Sequence, residues 1–137
     1  MASMLTPVLA LIVLTLVVWI WMYATRMPAM QKAGIKPQDA RHPGSPNGLP
    51  SPARQVTDNY NHLLEQPVIF YALVFYIILS GHSDGPHVYL AWAYVALRVI
   101  HTLIQCTVNN VTARFFVFSL STIVLMVMAG RELLALL

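Results

Sequence analysis

From Leu5 to Tyr23 the chain carries no charged side chain, and that run alone restricts what it can fold into. A helix needs about 20 mainly apolar residues to cross a bilayer. A cleaved signal peptide has a basic start and a shorter apolar core of roughly 7–15 residues. Here Met1–Met4 bring no basic side chain, and Arg26, Lys32, Lys36, Arg41 and Arg54 all follow the run. It reads as a retained spanning helix. Later stretches are as apolar, and only 9% of the 137 residues are charged while 58% are hydrophobic. A soluble domain carries roughly 25% charged residues to cover its surface, so most of this surface faces hydrocarbon. The fold class is therefore an all-α integral membrane protein, a four-helix transmembrane bundle forming one domain over residues 1–137. No basic stripe of the kind that binds nucleic acid is present. Cys106 is the single cysteine, which excludes an internal disulfide.

The punctuation places the helices at about 4–32, 52–80, 87–109 and 114–134. Residues 37–52 hold five of the nine prolines, so a Pro-rich loop is expected over 37–51. Ser51 is expected to cap the second helix, with Pro52 in its first turn. Pro67, in mid-helix, removes a donor, frees the carbonyl of Leu63 and predicts a kink. Residues 81–86 form a tight turn. His82, Asp84 and His87 around it read as a solvated loop and not as a metal site; no metal ligands are expected. Lysines and arginines concentrate in the first loop and at Arg114, whereas the 81–86 turn has neither. By the positive-inside rule the first loop is cytoplasmic and both termini lie outside. Arg131 opposes that assignment and its neighbour Glu132 moderates it.

Two polar stripes stand out. Arg54, Asp58, Asn61 and Glu65 are spaced 4, 3 and 4, and so share one face of the second helix. Arg98, His101, Gln105 and Asn109 are spaced 3, 4 and 4 on the third, with Thr112 in register to continue them. An ionisable group at membrane depth costs on the order of 2.5–3.5 kcal/mol. Glu65 and Arg98 must therefore face protein or water. A plain explanation is an ion pair between helices. The alternative is a polar cleft open to the cytoplasm, lined by both stripes and Arg114. The number of polar groups favours the cleft, because an interhelical hydrogen bond in membranes contributes only ~0.6 kcal/mol on average.

Asn-His-Leu-Leu-Glu-Gln-Pro (61–67) and Arg-Val-Ile-His-Thr (98–102), with four short helices and a long basic first loop, resemble the MAPEG family. These are membrane-associated proteins in eicosanoid and glutathione metabolism. The resemblance extends over nearly the whole chain, and Asn61–Tyr71 is most similar to bacterial members. It implies a homotrimer in a bacterial inner membrane, surrounded by membrane lipids. Glutathione would lie between protomers at the cytoplasmic side, as co-substrate of a transferase or peroxidase acting on a lipophilic electrophile. By matching, Arg114 would be catalytic and stabilise the glutathione thiolate. Arg54, Asn61, His62, Glu65, Arg98, His101 and Gln105 would bind glutathione, with Glu65 at its amino end. The chain departs from the family at Asp58 and Asn61, where eicosanoid members are basic, at His62, where Asn is usual, and at Gln105, where Tyr is usual.

Two further readings compete. A non-catalytic lipid-binding or scaffold relative would keep the cleft without the chemistry, and the cation-poor second-helix stripe suits it. A redox site would use His62 and His101 as haem ligands from facing helices.

Overall fold

The computed structural model describes residues 3–34 and 51–137. The Pro-rich loop expected over 37–51 falls, up to residue 50, outside them. The described residues fold into α1 (Leu5–Ala33), α2 (Ser51–Leu63), α3 (Pro67–Leu79), α4 (Gly85–Cys106) and α5 (Val111–Ala135). With α2 and α3 taken as one interrupted span, Ser51–Leu79, four helices are long and apolar enough to cross a membrane. α4 is the most enclosed of them. It packs on α5, α1 and α2, while α1 runs against α2.

Local chemistry sets the element ends. Ser51 is the first residue of α2 and not its cap; its hydroxyl accepts from Nε2 of Gln55. α4 begins two residues earlier than the sequence suggested, because the Asp84 carboxylate accepts from the His87 backbone N–H and caps the helix. It also ends earlier, at Cys106. Asn109 takes a left-handed conformation (φ 49°), and Asn110 caps α5 by accepting from the Ala113 N–H. α5 consequently starts at Val111, and Asn109 and Thr112 leave the α4 stripe.

The expected kink at Pro67 is a full break. Residues 64–66 form turns held by short-range bonds, Leu64 N–H to the Asn61 carbonyl at 3.1 Å and Glu65 N–H to that of His62 at 3.2 Å. Pro67 then opens α3 at its first position, where its missing N–H costs nothing. Gln66, beside the break, donates to the Thr122 hydroxyl at 2.7 Å and accepts from the Tyr94 hydroxyl at 3.2 Å. This side chain ties the break to both α4 and α5.

At the other end of the bundle, the 81–86 turn is largely exposed, as its composition suggests, but two histidines around it are engaged. His82 Nδ1 lies 2.6 Å from one carboxylate oxygen of Glu132, and His87 Nε2 lies 2.9 Å from the other. His87 and Glu132 are both buried. Arg131 donates to Asp84 at 2.7 Å. The basic residue that dissented from the charge rule is therefore paired with the acid of the turn.

Candidate functional site

Helical periodicity brings Arg98, His101 and Gln105 onto the enclosed side of α4, and all three are buried. Arg98 is wholly inaccessible, at 0% exposure. A guanidinium inside a membrane bundle normally meets a carboxylate. Here none lies within 4.0 Å among the described residues. Its one hydrogen-bond partner is an imidazole: Nη2 lies 2.8 Å from Nδ1 of His62, in the last turn of α2. The Nε and Nη1 donors of Arg98 have no partner among the described residues. The Glu65–Arg98 ion pair does not form, because Glu65 is exposed on the turn that follows α2.

His62 is wedged between aromatic neighbours. Its ring stacks on His101 with centroids 4.9 Å apart and planes 14° apart, and meets Phe118 edge-on at 5.3 Å. Face-to-face contact at that distance leaves no room for a porphyrin between the two imidazoles. With Nδ1 of His62 already engaged by Arg98, the haem arrangement does not fit these residues.

A cavity of about 240 Å³ lies beside the pair, lined by His62, His101, Gln105, Val111, Arg114, Phe115 and Phe118. Arg114 reaches it from the first turns of α5, with Nη1 donating to the Asn109 side chain at 2.7 Å. The Asn109 turn thus orients Arg114 through its own side chain. His101 Nδ1 and Gln105 Oε1 are buried without partners among the described residues. A guanidinium, two imidazoles, an unpaired amide oxygen and an apolar wall of Val and Phe suit a ligand that is anionic at one end and amphipathic overall.

The site residues expected from the sequence divide into two groups. His62, Arg98, His101, Gln105 and Arg114 come together in or beside this cavity. Arg54, Asn61 and Glu65 do not; with Asp58 they are exposed on the outer side of the second span, away from its buried Ala53, Val56, Asn59 and Leu63. The sequence reading missed Asn59, at 0% exposure, which donates to the Thr102 hydroxyl at 3.2 Å. It also missed Gln66. The signal for Asn59 was available: it lies three residues from Val56 and four from Leu63, on the apolar side of α2.

The family model for MAPEG matches residues 4–134, nearly the entire chain. The protein belongs to the MAPEG family. No curated protein and no solved structure matches it. Membership together with four spans makes this MAPEG protein an integral membrane protein. The matched range takes in His62, Pro67, Arg98, Asn109 and Arg114. All seven residues that line the cavity fall within the matched range.

Proposed function

We propose that this MAPEG protein is a membrane-bound glutathione-dependent transferase or peroxidase acting on a lipophilic electrophile. The observation that carries the reading is Arg98, a buried cation with no carboxylate partner and two unpaired donors among the described residues, behind the His62 ring of a cavity that Arg114 lines. Unpaired buried charge is costly. An anionic ligand relieves that cost, and glutathione is an anion whose reacting group becomes a second one.

In this reading Arg114 stabilises the thiolate. A free thiol has a pKa of about 8.5, and the thiolate is the nucleophile. A guanidinium favours the thiolate without itself titrating. Phe115, Phe118 and Val111 form the apolar wall on which the electrophile rests. His101 and Gln105 supply further hydrogen bonds, and Glu65 takes the amino end of the tripeptide from a neighbouring copy.

The trimer belongs to the same proposal. Arg54, Asp58, Asn61 and Glu65 form an exposed polar stripe on a spanning segment. Against lipid, each ionisable group there would cost on the order of 2.5–3.5 kcal/mol. A neighbouring protomer removes that cost and completes the site. The basic loop then faces the cytoplasm and both termini face outward, in a bacterial inner membrane.

The deciding experiment is calorimetric titration of glutathione into detergent-solubilised protein, with ultraviolet absorbance to detect the thiolate. Saturable binding with a thiolate signal supports the transferase. Absence of binding at millimolar ligand favours the second reading, a lipid-binding or scaffold relative. One observation speaks for that alternative: Arg54 is the only cation in the outward stripe of the second span.

A further inference from the structure

The contact between Arg98 and His62 determines which nitrogen of His62 carries its proton. A guanidinium has donors only and stays protonated. The atom it meets at 2.8 Å, Nδ1 of His62, must therefore accept. An accepting Nδ1 has no hydrogen, so the ring is neutral and its proton sits on Nε2. The ring cannot rotate freely to exchange the two nitrogens, because His101 stacks on its face and Phe118 meets it edge-on. Nε2 has no hydrogen-bond partner among the described residues and is absent from the set of fully buried unpaired atoms. His62 lines the same cavity as Arg114.

We propose that Arg98 acts through His62, locking it as the neutral Nε2–H imidazole, and that this N–H is the second donor, beside Arg114, to the ligand's thiolate sulfur. The thiolate part rests on the glutathione reading; the tautomer does not. His62 then takes no proton from the thiol. Nδ1 is occupied and Nε2 is already protonated, so the thiol proton leaves to solvent and the ring stays neutral throughout. Arg98 is a positioning residue that never touches the sulfur. The polarity of the site follows from this order. A donor-only cation on one side of the ring makes the other side a donor too, and a donor at that place favours an anion over a neutral thiol.

The test uses full-length protein in bilayers, labelled with ¹⁵N at histidine, with the His62 signals assigned by their loss in His62→Asn. At pH 7.5 the expected pattern is a protonated Nε2 and a bare Nδ1. Arg98→Lys, which still only donates, should keep that pattern, and Arg98→Met should give a tautomer mixture. A wild-type His62 that is mainly Nδ1–H, or doubly protonated, overturns the proposal. The second arm follows glutathione thiolate absorbance against pH. His62→Phe keeps the ring stacked on His101 but has no N–H. It should move the thiolate midpoint upward by about one pH unit, a tenfold loss of thiolate preference, and His62→Asn, which keeps a donor, should recover much of it. An unchanged midpoint in His62→Phe refutes the donor role. Failure of the wild type to bind glutathione overturns the glutathione reading and the thiolate role with it, whereas the nitrogen signals decide the tautomer independently.

Discussion

The carboxylate of Glu132, near the end of α5, lies 2.9 Å from Nε2 of His87, 45 residues earlier in the first turn of α4. Its other oxygen meets His82. The two imidazoles differ in what removal would leave behind. His87 is 2% exposed, so its loss leaves one side of a buried carboxylate without a donor, at about 1–3 kcal/mol. The His82 side chain is 39% exposed, and water can replace it. His87→Leu should therefore lower the melting temperature in detergent clearly more than His82→Ala. Equal losses would mean that the clasp is solvated on both sides.

Asp84 gives a pH dependence of known sign. The bond from the His87 backbone N–H, assisted by Arg131, holds its carboxyl below the usual carboxylate range. A depressed carboxyl stabilises the fold above its unfolded pKa of about 3.9, and that stability is lost as pH falls through the lower folded value. Asn also caps helices well. Asp84→Asn should thus fold with its cap intact, and the difference in melting temperature between wild type and variant should shrink as pH falls from 5 towards 3. A difference that stays constant over that range would show that the charge contributes nothing.

Gln66 bonds α4 through Tyr94 and α5 through Thr122. Interhelical hydrogen bonds in membranes average only ~0.6 kcal/mol, so Gln66→Leu should cost about 1 kcal/mol and leave the protein folded. Its larger effect should be on the break itself. With Gln66 released, Glu65 and the α2 end lose their anchor, and glutathione affinity should fall further than global stability does. Calorimetry alongside thermal unfolding separates the two.

The pattern of what the sequence showed follows from the range of each signal. Helical periodicity is local, so the burial of Arg98, His101 and Gln105 on one side of α4 was legible from spacings of three and four. A disturbance at Pro67 was legible because proline acts on its own turn, though the expected kink is a full break. α2 was harder, since both of its sides carry polar groups. Asn59 and His62 turn inward while Arg54, Asp58, Asn61 and Glu65 turn outward, and periodicity alone does not say which polar side meets the bundle. The Glu132 clasp was not legible at all, because its partners are 45 and 50 residues away. Composition around His82 and His87 pointed instead to a solvated turn, and only packing of α4 on α5 brings the carboxylate there.

Arg114 and Glu65 should separate chemistry from binding. Arg114 lies in the cavity with a side chain oriented by Asn109, and its removal takes away a charge but little packing. Arg114→Ala should abolish the thiolate signal at neutral pH while the particle mass in detergent, read by light scattering, stays that of the wild type. Arg114→Lys should retain part of it, since an ammonium still attracts the sulfur but lacks the planar fork. Glu65 is exposed on the protomer, and Glu65→Ala removes no side-chain hydrogen bond or ion pair among the described residues. Glutathione should bind it more weakly, with the thiolate midpoint of the bound fraction unchanged. If both variants dissociate or unfold, the polar groups serve to hold helices together and the catalytic reading is lost.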